Sequence, residues 1–175
     1  VTLPVAKAVP LSAELANSAS ADDEARLKKV SFAVLNFENA FRTSPTQLKN
    51  SQGQPSQLSW RVHVLPYLEQ KALYEKFALD EPWDSETNLA AAALMPEVYR
   101  GATQTKDQTD ICTISGSGSL LSSNRWVSQC VDSLSNTIML VQVNDDQRVS
   151  WTKPSDIELN ENLRFEDRVG QKKLL

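Results

Sequence analysis

The chain contains one histidine, His63, and two cysteines, Cys112 and Cys130. A single imidazole closes every catalytic plan that needs two. The serine-rich run Ser115–Ser119 offers hydroxyls, but it forms no G-x-S-x-G elbow and no phosphate loop ending in Gly-Lys-Ser or Gly-Lys-Thr. His63 itself lies in a hydrophobic block and reads as a packed or surface residue. Carboxylates such as Glu69 and Glu75 can be imagined as an acid–base pair, yet glutamates at helical positions are ordinary solvated side chains. Asp107, Asp110, Asp145 and Asp146 are the oxygen donors that a calcium ion prefers. No D-x-D-x-D-G loop frames them, and Asn144-Asp145-Asp146 makes a good turn by itself. Asp145 and Asp146 therefore stand as weak metal candidates, and neither a cofactor nor a catalytic residue is expected.

Two cysteines and one histidine cannot complete an ordinary structural zinc tetrad, and no C-x-x-C spacing is present. The thiols are either both free and buried or joined, and the redox compartment decides between these. Trp60, Trp83, Trp126 and Trp151 form either an aromatic platform or four large pieces of core, each bringing about 150–250 Å² to bury. Core packing is the general expectation. Trp83 and Trp151 stand beside turn residues and prolines and are the pair expected to be exposed, with Asp84 as a further ligand or partner contact.

The elements that hold these residues follow from length and pattern. At 175 residues the chain fits one domain and can bury roughly 70% of its unfolded surface. Lys and Arg number 18 against 22 Asp and Glu, a net charge of -4. That balance argues against a clustered basic nucleic-acid footprint and against a polybasic membrane patch. No apolar run approaches the roughly 18 residues of a membrane span. Glycines number only 5, which disfavours loops built on repeated glycines.

Val1–Ser20, with Pro4 and Pro10 and no helical stripe, is expected to be an extended lead-in. It lacks the cationic start and apolar core of a signal peptide, and an opening valine fits the removal of something upstream. Ser20 then caps a helix whose first turn, Asp22, Asp23 and Glu24, suits the positive end of the helix dipole. Leu27, Val30, Val34, Phe37 and Phe41 recur at three- and four-residue steps, one apolar stripe along about 30 Å. Arg26, Lys29, Asn36 and Asn39 leave the outward face polar. Thr43, Ser44 and Pro45 end the helix, and residues 46–57 form a polar surface loop.

Leu58, Trp60, Val62 and Val64 alternate as a strand would, whereas Trp60, Val64, Leu68 and Ala72 recur as in a helix bent at Pro66. Periodicity leaves both open. Tyr67–Phe77 reads as helical. A further helix is capped by Asp84 or Ser85, has Leu89–Met95 as its body and stops at Pro96. Beyond Glu97 short β-branched runs take over. Ile111–Ile114, Arg125–Val131 and Thr137–Val143 read as strands, and Ser115–Ser123 as a flexible loop. Thr137–Val143 and Arg148–Thr152, joined by Asn144–Gln147, make the clearest hairpin. Helices first and antiparallel strands afterwards describe an α+β domain.

Four short blocks carry a family resemblance. They are Ser59-Trp60-Arg61 leading into Leu65-Pro66-Tyr67-Leu68-Glu69-Gln70 and Ala72-Leu73-Tyr74; Leu79-Asp80-Glu81-Pro82-Trp83-Asp84; Asp132-Ser133 with Ser135-Asn136-Thr137-Ile138-Met139; and Trp151-Thr152-Lys153-Pro154 with Asp156. In this order, from about Ala25 to Asn160, they resemble a pilin-like family of planctomycetes and relatives. It is catalogued as domain of unknown function 1559 and also labelled a bacterial solute-binding protein family. The chain departs from the family's pattern in two places. Its tail lacks a frequent His and Asp-Gly motif, and Gly101 follows Val98-Tyr99-Arg100 where a cysteine is frequent.

The resemblance implies a pilin-like or pseudopilin-like α+β fold, a long N-terminal helix packed on an antiparallel sheet with long decorating loops. Residues 1–20 would be the lead-in, 21–160 the soluble domain and 161–175 a C-terminal tail. Trp60–Phe77 would be helical and bent near Pro66. The function implied is that of a non-catalytic extracytoplasmic head, anchored to the membrane by an upstream segment of the full precursor. It would act through surface contacts with other envelope or pilus-like proteins, without nucleic acid, and the isolated domain would be a monomer. The alternative is a carbohydrate- or peptide-binding module using Trp83 and Trp151. Trp60, Arg61, Pro66, Tyr67, Leu68, Glu69, Gln70, Pro82, Asn136, Thr137 and Pro154 would determine shape. Export would make Cys112 and Cys130 a disulfide.

Overall fold

Apolar residues spaced by three and four do form one long helix, α1, Leu11–Phe41. The computed structural model describes residues 11–101, 106–115 and 138–158. Leu27, Val30, Ala33, Val34 and Phe37 lie on the buried face of α1. The helix starts earlier than expected, so the lead-in predicted as extended is helical from Leu11, and Ser20 lies inside α1 instead of capping it. Half of the segment between is alanine and leucine, and extending an existing helix is far easier than nucleating one. Phe41 corrects the stripe at its other end. It is 59% exposed, because α1 terminates there with Arg42 in the left-handed region at φ 57° and its N–H donating to the Glu38 carbonyl. The Phe41 ring still rests on Phe37, centroids 4.5 Å apart. Phe32, also exposed, interrupts the outward face that was expected to be polar.

The ambiguous stretch after Leu58 is helical, as the resemblance implied, but in three pieces. Ser59 caps α2, Trp60–His63, its Oγ accepting from the Arg61 N–H at 3.3 Å. A 3₁₀ turn, Leu65–Leu68, takes Pro66 in its first positions, where a missing N–H costs nothing. Glu69 then turns left-handed at φ 62°, and α3 occupies Lys71–Tyr74. The 3₁₀ turn packs against α1, with Tyr67 edge-on to Phe37 at 6.0 Å. Helix α4, Glu86–Ala92, is capped by Ser85, whose Oγ accepts from the Asn88 N–H.

The strands are short and fall into two ladders. β1, Gln108–Thr109, pairs antiparallel with β4, Val149–Ser150. β2, Ile111–Ser115, lies between β3, Leu140–Gln142, and β5, Ile157–Glu158. The β2–β3 pairing is antiparallel and the β2–β5 pairing parallel, so the sheet is mixed. The hairpin expected between Thr137–Val143 and Arg148–Thr152 does not form: β3 and β4 belong to different ladders. Between them Asp145–Gln147 makes a 3₁₀ turn flanked by extended Asn144 and Arg148. The chain of β1 and β2 receives both strands, changing partner at Asp110, whose carbonyl accepts from the Val143 N–H.

α1, the Leu58–Leu68 segment, Tyr99, Ile111, Leu140 and Trp151 share one core, while Cys112, Val141, Val143 and Ile157 form a smaller one. The expected packing of α1 on the sheet is thus met at β3, and the 3₁₀ turn after α2 covers the rest of the stripe. The expected strand Arg125–Val131, with Trp126, lies outside the described residues, as do Asn136 and Thr137. Among the described residues no helix is long and apolar enough to cross a membrane.

Candidate functional site

The first and last motif blocks meet. Arg61 is completely buried, and its guanidinium donates to Asp156 Oδ1 at 2.7 Å, the Ile111 carbonyl at 2.8 Å and Ser59 Oγ at 2.9 Å. Trp60 Nε1 donates to both Asp156 oxygens, at 3.1 and 3.2 Å, and the Arg61 guanidinium carbon stands 4.8 Å from the Trp60 ring centroid. Asp156 Oδ1 also accepts from the Thr113 N–H at 2.9 Å. Tyr99 closes the group, its hydroxyl donating to the Arg61 carbonyl. Burial is the largest single influence on Arg61 and opposes its charge, but Asp156, together with smaller contributions from Cys112 and Tyr99, outweighs it and raises the pKa. Burial drives the Tyr99 hydroxyl far above the ordinary tyrosine range. Arg61 is enclosed, whereas Asp156, partly exposed, and Trp60 also border a second cleft of about 250 Å³. The group ties α2 to β2 and to the segment entering β5.

Asp110 centres a second group. It is completely buried and accepts from Arg26 at 2.7 Å through Oδ1 and from Gln142 at 2.7 Å through Oδ2, with Arg148 at 3.8 Å. Burial would raise its carboxyl, but the hydrogen bond and charge of Arg26, then Gln142 and Arg148, hold it below the ordinary carboxylate range. Arg26, expected on the outward polar face, is thereby turned inward and also donates to the Val98 carbonyl. Asp110 is an ion-pair anchor in place of a calcium ligand. Asp145 and Asp146 are exposed; Asp145 accepts from Arg148 at 3.0 Å and Asp146 from Gln147. Among the described residues no three His, Cys, Asp or Glu side chains cluster as a metal site would require. Gly101 is explained by the same group. A Cβ built there would lie 2.7 Å from Asp110 Oδ2 and 2.9 Å from Arg148 Nη2, so a larger residue would have to displace these side-chain ends.

The tryptophans divide differently from expectation. Trp151 is completely buried, a correction to its expected exposure. It stacks on Tyr99 and meets Phe77 edge-on, both at 5.7 Å, and its Nε1 donates to the Ala92 carbonyl. Neighbouring turn residues suggested a surface position, but partners from distant parts of the chain enclose it. Trp83 is half-buried, with the Lys153 ammonium 5.6 Å from its ring centroid. It borders a cleft of about 670 Å³ whose walls include Leu89, Arg100, Lys106 and Thr152. Asp84, Pro82 and Pro154 are exposed. The Asp80–Asp84 turn is held by Asn88, whose amide accepts from the Ala78 N–H and donates to the Ala78, Glu81 and Pro82 carbonyls. Sequence reasoning missed Asn88. Its only signal was a position three residues after the Ser85 cap.

His63 is a packed histidine: Ser56 Oγ lies 2.9 Å from its Nε2, and its Nδ1 is buried without a partner among the described residues. Burial lowers its pKa to about 4. Cys112 is a buried thiol. Its apolar neighbours in the smaller core push its pKa up to about 11. Cys130, the expected partner, lies outside the described residues. Of the remaining motif residues, Leu68 is core, Pro66, Tyr67 and Gln70 are half-buried, and Glu69 is exposed at its left-handed turn.

Helix, mixed sheet and two buried ion-pair groups define an α+β domain in which motif residues join elements to one another. Residues 24–105 match the model of a family described as "Protein of unknown function (DUF1559)". This is the family that the motif blocks resemble, and the recognition is borne out over that stretch. The match ends before the last two blocks, short of the span to about Asn160 that the resemblance covered. No curated protein and no solved structure matches the chain.

Proposed function

We propose that this chain is the non-catalytic, extracytoplasmic head of a pilin-like or pseudopilin-like protein, working through surface contacts in an envelope or secretion-related assembly. The observation that carries this reading is the placement of the motif residues. Trp60, Arg61 and Asp156 bond to one another and to backbone in the interior, so the recognisable blocks specify shape. Helix α1 supports it as well: 31 residues long, with its described buried positions gathered between Leu27 and Glu38, it has the form of a spine entering a head from the N-terminal side. The upstream segment of the precursor supplies the membrane attachment in this reading.

The test uses both forms of the protein. The 175-residue chain should be a monomer at micromolar concentration by light scattering. The full precursor, carrying a photo-cross-linker at Lys29 or Asn36, should be captured with other envelope proteins. Recovery of the precursor in the cytoplasmic fraction would overturn the reading. A dilution-resistant dimer of the isolated chain, with Leu27–Phe37 at its interface, would overturn it equally.

A second reading is favoured by the cleft beside Trp83: a ligand-binding module for a carbohydrate or peptide. Trp151, enclosed in the core, takes no part in it.

A further inference from the structure

The chain is acidic overall, net -4, yet the charges around the Trp83 cleft run the other way. Arg100 and Lys106 line it, Lys153 stands over the Trp83 ring at its edge, and one carboxylate, Asp107, faces them. Two polar atoms of the lining are also left over. Thr152 is completely buried, and its Oγ1, like Arg100 Nε, is buried without a hydrogen-bond partner among the described residues. Buried donors and acceptors are nearly always paired, so two unpaired atoms in the residues of one cleft wall set this wall apart from the rest of the interior. The opposite character is supplied by Trp83, Leu89 and Ala93. Leu89 is 50% exposed on α4, one turn from Ala93, so both lie on one helix face.

We infer that this cleft binds a small organic carboxylate with a flat apolar body. The carboxylate is held by Arg100 and Lys106, and the body lies against Trp83 and Leu89. Guanidinium–carboxylate contacts are among the stronger hydrogen bonds, and a half-enclosed wall strengthens them further. The cleft's volume, about 670 Å³, accommodates a molecule the size of a capped amino acid together with water. The inference rests on the ligand-binding reading and is separate from the pilin-like one. The same carboxylate chemistry is offered by a free aromatic acid and by the C-terminal end of a peptide.

Titration of the 175-residue chain, followed by tryptophan fluorescence and by heteronuclear NMR, tests it with three probes: N-acetyl-L-phenylalanine, its C-terminal amide, and benzoate. The acid should bind saturably and at least about tenfold more tightly than the amide, a difference one charge-assisted contact supplies. Arg100→Gln should remove about that factor. Lys106→Gln, at an exposed position where folding is not at stake, should weaken the acid severalfold and leave the amide unchanged. Benzoate binding as tightly as N-acetyl-phenylalanine identifies a free acid as the source; binding of N-acetyl-phenylalanine alone identifies a peptide end. Equal affinity for acid and amide would overturn the carboxylate assignment while leaving a ligand-binding cleft. Absence of saturable binding by all three probes would overturn both. Melting of each variant near the wild-type temperature confirms that the losses are local.

Discussion

Arg61 carries a charge with no access to water, and its tolerance depends on one carboxylate. Asp156 accepts from Arg61, Trp60 and the Thr113 backbone at once. Removing the charge while keeping the shape, Asp156→Asn, should leave an uncompensated buried guanidinium and cost about 3–5 kcal/mol, read from the urea midpoint. A loss below about 1 kcal/mol would contradict the account of this group. His63 makes a different prediction. Its pKa is lowered from 6.5 to about 4 by burial, so in that window the unfolded chain binds a proton that the folded chain refuses. Its stability contribution is therefore complete above about pH 6.5 and is lost as pH falls toward 4, by about 3 kcal/mol in all. Urea titrations across this range should slope for the wild type and flatten for His63→Gln. Parallel curves would refute the burial of a neutral ring.

At the scale of elements, α1 is fastened by its inner stripe and not by its last turn. Phe37→Ala should cost about 3–5 kcal/mol, whereas Phe41→Ala, already 59% exposed, should cost less than about 1 kcal/mol. Equal losses would mean the helix is set differently on the sheet. Gly101→Ala should displace the Asp110–Arg148 contact and cost about 1–3 kcal/mol, measured by thermal unfolding. What was legible from the sequence at this scale is what local periodicity controls. The stripe from Leu27 to Phe37 and a cap at Asp84 or Ser85 needed only neighbours in sequence. The division of Trp60–Tyr74 into three pieces was not legible, because nothing in the residue type of Glu69 announces its left-handed backbone. The hairpin was misread for a related reason. β3 and β4 look like partners when read in order, but the chain on either side of Asp110 offers each a different strand. The two ion-pair groups join residues 84 and 95 positions apart, so their members were visible and their meeting was not. Trp151 was placed outside for the same cause, since Phe77 and Tyr99 enclose it from earlier in the chain.

At the scale of the whole molecule, the proposed reading places function on the surface, because the recognisable residues bond to one another. The described surface offers the outward side of α1, with Lys29, Phe32 and Asn36 exposed, and the cleft beside Trp83. Phe32 and, at the last turn, Phe41 are the large apolar side chains that the described part of α1 exposes, well below what a stable dimer buries, which is why the isolated chain is expected to remain monomeric. The pilin-like proposal adds that a hydrophobic segment, preceded by a short basic leader, lies upstream in the precursor. The most direct test is mass spectrometry of the mature N-terminus of the protein recovered from the envelope fraction of its own cells. The proposal predicts cleavage after a short basic leader, leaving a hydrophobic stretch upstream of α1. A mature protein released by an ordinary signal peptide, with no hydrophobic stretch before α1, would contradict it.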